Sequence, residues 1–156
     1  MHTNVDSGRP GVQGRMVNDP HHLLFSVLSV AEHVQERLEA ALAPTGLSLA
    51  KLGALHHLAE ADEPLPLGQL AERIACVKSN VTQLVDRLET DGMVKRVPDP
   101  NDRRSVRAVI TTLGREKHEA GRQAMLRAES VVVSELDEAE QSVLLELLTR
   151  LSSQPA

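Results

Sequence analysis

The chain has 156 residues, 41 % of them hydrophobic and 25 % charged, with a formal net charge of −5. That length suits one domain with a modest core and argues against a second independent one. One Phe and no Trp or Tyr exclude the stacking platforms that hold single-stranded nucleic acid, and the single cysteine excludes an internal disulfide framework or a Cys-based zinc finger.

Residues 1–18, "MHTNVDSGRPGVQGRMVN", are polar, glycine-bearing and aperiodic, so a disordered arm is expected there, with Met16 as an alternative natural start. They lack an apolar h-region, and no apolar run in the chain is long enough to span a bilayer. A cytoplasmic protein without a membrane partner is the expectation. The single domain is expected over residues 19–156.

Asp19-Pro20 reads as a helix start, and Leu23, Leu24, Val27, Leu28, Ala31, Val34, Leu38, Ala41 and Leu42 recur at helical spacing up to the breaker "APTG". Ser48 opens a second helix with Leu49, Leu52, Leu55 and Leu58 on one face, ending ahead of Pro64 and Pro66. A short helix is expected at about 67–74, then a tight turn at 75–77. The next helix ends at Asp91-Gly92, with glycine at its C-terminal cap.

The period then changes. "MVKRV" (93–97) and "VRAVIT" (106–111) are short and β-branched, with the turn-forming "PDPNDRRS" between them, which predicts a β-hairpin. Thr111 or Thr112 caps a long helix to about residue 134. Asp137 and Glu140 form a capping box for a last helix with Leu144, Leu147, Leu148 and Leu151 as its stripe.

This order describes a mainly α fold with a small β-hairpin wing, a winged helix-turn-helix whose lobe covers about residues 48–111. The helices at about 20–43 and 112–152 carry apolar stripes too wide for a small monomer. They are expected to bury each other across a two-fold axis as the dimerisation region of a homodimer.

Charge is unevenly spread. Residues 78–107 carry +2, leaving −7 for the remainder, so basic charge is localised while an acidic body keeps off a polyanion. On the helix "KSNVTQLVDRLET", Ser79, Asn80, Thr82 and Gln83 are short donors and acceptors suited to base edges in a major groove. Val81, Leu84, Val85 and Leu88 make the opposite, apolar face. Lys78 and Arg87 are placed to reach phosphates, and Arg107 is counted with them. Arg103 and Arg104 at the hairpin tip suit a narrow minor groove, with Asp102 able to hold one guanidinium in a bidentate pair.

The segment "LPLGQLAERIACVKSNVTQLVDRLETDGMVKRVPDPNDRRSVRAVITTLG" (65–114) resembles the MarR family of bacterial winged-helix regulators, and the resemblance extends over about residues 20–152. It implies an intertwined homodimer with recognition helices in successive major grooves of an inverted-repeat operator and wing arginines in the flanking minor grooves. It further implies transcriptional control, usually repression, relieved when a small phenolic or carboxylic effector fills a crevice between the dimerisation helices and the lobe. By position, Ser79, Asn80, Thr82 and Gln83 match base-reading residues and Arg87 a phosphate contact. Asp102 and Arg104 match the family's Asp-x-Arg wing motif. The chain departs from the pattern at Val77, where the family usually has a capping serine, and in "LAKLGALHHL", which lacks the usual crevice aromatic.

Cys76 reads either as a small apolar filler of the turn or as a redox-responsive thiol beside Lys78. His21/His22 and His56/His57 are adjacent pairs without the i, i+4 spacing of two ligands on one helix face, while His33 and His118 lack an obvious partner, so no metal site is expected. His21, His22, His56 and His57 are instead candidates to line a crevice that takes an organic anion. No cofactor is called for, and phosphate-loop, GxGxxG, HExxH and GxSxG motifs are absent, so an enzyme is not expected. The alternatives kept are a winged-helix module for protein–protein assembly and a redox- or metal-responsive regulator.

Overall fold

A computed structural model describes residues 20–74, 78–102 and 104–153. The expected arm at 1–18, Asp19, the turn with Cys76 and Val77, and Arg103 lie outside the described residues. The elements in chain order are α1 (Pro20–Leu42), a 3-10 turn (Ala43–Thr45), α2 (Leu49–Glu60), β1 (Leu65–Pro66), α3 (Leu67–Arg73) and α4 (Lys78–Thr90). They continue with β2 (Val94–Pro98), β3 (Val106–Ile110), α5 (Thr112–Val133) and α6 (Glu138–Ser152). Two compact units divide the chain, residues 1–35 and residues 36–156. In the first, the opening turns of α1 expose Leu23, Leu24, Phe25, Leu28 and Val30.

The second unit holds the winged helix. Its helix boundaries follow local chemistry. Ser48 caps α2 by accepting from the Lys51 N–H at 3.2 Å; Thr111 caps α5 by accepting from the Gly114 N–H at 3.0 Å. Asp137 and Glu140 close a reciprocal capping box on α6. Gly92 ends α4 at φ 73°, a left-handed conformation that glycine takes without steric cost, and turns the chain straight into β2.

The sheet order is β1-β3-β2, all antiparallel. Five pairs from Val94↔Ile110 to Pro98↔Val106 make the wing hairpin. The third strand was not expected from the sequence: Leu65 and Pro66 pair with Ala108 and Arg107. Two residues carry too little periodicity to register as a strand, and proline is tolerated because the strand is an edge.

The core joins Leu55 and Leu58 of α2, Leu70 of α3, Val81, Val85 and Leu88 of α4, and Val94, Ala108 and Ile110 of the sheet. The expected apolar face of α4 is therefore the buried one, with Leu84 half-buried at its margin. The expected α2 stripe divides. Leu55 and Leu58 enter the core, Leu52 packs at its margin and also meets α5, and Leu49 lines the cavity beside α5.

Glycine lets α5 approach on both sides. A Cβ on Gly121 would meet Leu47 and Leu52 side chains at 2.7 and 2.9 Å. On Gly114 it would land on the backbone carbonyl of Met93, which already accepts from the Thr111 N–H at 3.0 Å. Gly114→Ala is therefore expected to destabilise the lobe by about 1–3 kcal/mol, as overpacking against fixed backbone does. Gly68, whose Cβ would meet nothing within 4 Å, serves as the control: Gly68→Ala should be neutral or slightly stabilising. Urea unfolding midpoints of the two variants check both.

Candidate nucleic-acid interface

With Val81, Val85 and Leu88 buried, the helical period leaves Asn80, Thr82, Gln83, Asp86 and Arg87 of α4 exposed. The expected base-reading residues Asn80, Thr82 and Gln83 thus share one solvent-facing surface in the first turns. Lys78 and Ser79 fall on the first turn of the same helix, their side chains lying outside what is described.

Asp86 and Glu89 put two carboxylates on this helix, which by themselves would repel a polyanion. Arg96 of β2 answers both. Its Nη2 lies 2.6 Å from Asp86 Oδ1 and its Nη1 2.6 Å from Glu89 Oε2. Nη2 also donates to the Thr82 carbonyl at 3.3 Å, and the Arg96 backbone N–H donates to Glu89 Oε1 at 3.0 Å. One guanidinium thereby fastens the wing to α4 and cancels the acidic pair. The backbone N–H and then the guanidinium of Arg96 hold the Glu89 carboxyl below its ordinary pKa. Sequence reasoning counted Arg96 only as charge; its spacing from Asp86 and Glu89 across a turn carried no local signal.

The wing is built on Asp99. Its carboxylate accepts from Arg107 Nε at 2.7 Å and Nη2 at 3.2 Å and from the Asn101 N–H at 2.8 Å. Arg107, and then Asn101, lower the Asp99 pKa. Arg107 also donates to the Pro64 carbonyl at 3.5 Å, tying the wing to the chain entering β1. Arg107, expected to reach a phosphate, is thus engaged by a bidentate partner just beyond the end of β2 and serves the frame of the wing. Asp102 shapes the tip of the wing. Its Oδ1 accepts from the Arg104 backbone N–H at 2.9 Å, and its carbonyl from the Ser105 N–H at 2.9 Å, so it holds the turn that carries Arg104. The Arg104 side chain projects from this turn exposed. Among the described residues, Arg87, Lys95 and Arg104 are exposed cations without an ion pair.

Of the crevice candidates, His56 lines a cavity of about 310 Å³ between α2 and α5, with Leu49, Leu52, Gly53, His118, Arg122, Met125 and Glu129. His57 is half-buried one residue on, its ring centroid 5.4 Å from that of His56. His21 and His22 are exposed on α1 in the other unit. His118, unpartnered in the sequence, packs its ring 5.6 Å from that of His56. Burial, and then the charge of His56, push the His118 pKa down. Arg122 is committed to Glu119 at 2.8 Å and, with Gln123, holds that carboxyl at about 2. Among the described residues, no helix is long and apolar enough to cross a membrane.

Residues 45–105 match the MarR family model. The chain is 35 % identical over 89 residues to the HTH-type transcriptional regulator YkoM of Bacillus subtilis (strain 168), a match covering 56 % of this chain and 54 % of that protein, so it spans about half of YkoM's length. It is 26 % identical over 148 residues to YdgJ, an HTH-type transcriptional regulator of the same organism, covering 94 % of this chain and 88 % of YdgJ. Its fold superposes on a mutant MarR from E. coli complexed with operator DNA, with a TM-score of 0.74 and 25 % identity over 83 % of this chain and 92 % of that one.

Because the Glu89 pKa is lowered, its contribution to stability is present above its ordinary value of 4.5 and is lost as pH falls through the depressed value of the folded state. Arg96→Ala should therefore lower the denaturation midpoint at pH 7. The gap between variant and parent should narrow as pH drops from about 5 to about 3. Denaturant titrations across that range check the sign.

Proposed function

We propose that this chain, a MarR-family protein by its winged-helix lobe, is a sequence-specific double-stranded-DNA-binding transcriptional regulator. It acts as a homodimer on an inverted-repeat operator, in the cytoplasm, as a repressor that a small effector relieves. One observation carries the reading. A helix seated by Val81, Val85 and Leu88 presents Asn80, Thr82 and Gln83 outward beside a wing whose unpaired Arg104 stands at the tip.

The division of labour follows from chemistry. Asn80 and Gln83 offer paired donor and acceptor atoms for adenine, and Thr82 a methyl and a hydroxyl, in a groove that admits one helix. Lys78 and Arg87 meet phosphates and set the register. Arg104, together with Arg103, enters the minor groove, where narrowing concentrates negative potential. Arg96 keeps Asp86 and Glu89 from opposing all of this.

Dimerisation is supported by the apolar side chains that the second unit leaves uncovered. Leu144, Leu147, Leu148 and Leu151 of α6 are 42–53 % exposed, and Leu126 and Val131 of α5 are exposed too. Such contiguous stripes mark an interface, and a symmetric interface delivers two recognition helices about one helical turn apart. The effector we assign to the α2–α5 cavity is an organic anion whose apolar body packs on Leu49, Leu52 and Met125, with His56 and His118 at the rim of the same cavity.

Selection of bound sequences from random duplex DNA is expected to return an inverted repeat with half-sites about one turn apart; recovery of no common sequence would overturn the proposal in favour of a protein-assembly module. Arg104→Ala should abolish tight binding to the selected duplex while size-exclusion chromatography still shows a dimer. Affinity should also fall steeply between low and physiological salt as phosphate contacts release counterions.

A further inference from the structure

At the C-terminal end of α2, two histidines and a glutamate converge. His56 Nε2 lies 3.4 Å from Glu60 Oε2. One ligand atom from each of His56, His57 and Glu60 falls within 4.8 Å of the others. Among the described residues, no other group of His, Cys, Asp and Glu comes together this closely. His118 arrives from α5, so that the His56 ring has two imidazoles near it, at 5.4 and 5.6 Å between centroids.

We propose that His56, His57 and Glu60, with His118 as fourth ligand, bind a divalent transition-metal ion of the zinc type. The spacing that adjacent histidines lack is supplied by the glutamate: His56 and Glu60 are i, i+4 and share one helix face. Tetrahedral coordination with bonds of about 2.1 Å places ligand atoms about 3.4 Å apart. The His56–Glu60 separation already meets this, and the gaps to His57, within 4.8 Å, close by little more than about 1 Å; His118, its ring 5.6 Å from that of His56, reaches the ion by a larger side-chain movement. Side-chain rotation supplies that movement, since His56 and Glu60 are 48 % and 63 % exposed. Three imidazoles and one carboxylate select zinc, nickel or copper over magnesium and calcium, which require oxygen ligands. An ion held in this way bridges α2 to α5 beside the cavity. The inference does not depend on DNA being the partner.

Calorimetric titration of the purified, untagged full-length chain with Zn²⁺ at neutral pH is expected to show one saturable equivalent per chain and a rise in melting temperature. His56→Ala and His118→Ala should each weaken binding by about tenfold or more, as loss of a ligand or of its orientation does. Glu60→Gln, an exposed and nearly isosteric change, should also weaken it and guards against loss of fold, which circular dichroism monitors in each variant. The double variant His21→Ala/His22→Ala should bind as the parent does. A titration without a saturable equivalent, or a parental isotherm in folded His56→Ala or Glu60→Gln, would overturn the site. A parental isotherm in folded His118→Ala would overturn the bridge to α5.

Discussion

Everything this lobe presents outward depends on the burial of one narrow stripe, Val81, Val85 and Leu88, against Leu55, Leu58, Leu70 and Val94. With no tryptophan or tyrosine and a single phenylalanine, the core is built from small and branched aliphatics. Each fully buried Val or Leu contributes about 1.5–3 kcal/mol. The stripe therefore outweighs the surface ion pairs around it, which contribute about 1 kcal/mol or less each. The apolar contacts decide where α4 lies, and its polar residues inherit their direction from that decision.

The ion pairs have a different task. In an acidic chain, the exposed face of α4 still carries Asp86 and Glu89, and Arg96 reaches both from the neighbouring strand. Asp99 and Arg107 do the same inside the wing, holding its base against Pro64. The result is a sorting of cations. Arg96 and Arg107 are engaged in the framework, while Arg87, Lys95 and Arg104 stay exposed. Net charge alone conceals this sorting, since paired and unpaired guanidinia count equally in it.

The other side of α2 shows how packing creates chemistry from residues with no motif. Gly121 brings α5 against Leu47 and Leu52, and one turn earlier His118 meets His56 beside the cavity. The apolar walls there are leucine and methionine, where the second helix has no aromatic to offer. A space of this composition offers dispersion contacts but no ring stacking.

Much of the architecture was written locally. Periodic apolar residues, Ser48, Thr111, the Asp137/Glu140 box and Gly92 determined the helices and their ends, because capping and period are properties of a few neighbouring residues. The hairpin and the outward face of Asn80, Thr82 and Gln83 followed from the same kind of pattern. Tertiary structure alone decided which cations are free, since Arg96 and Arg107 look like Arg87 and Arg104 until the facing strand or helix supplies a carboxylate. It likewise decided the β1 edge and the meeting of His118 with His56, because each depends on distances between segments that sequence spacing does not encode.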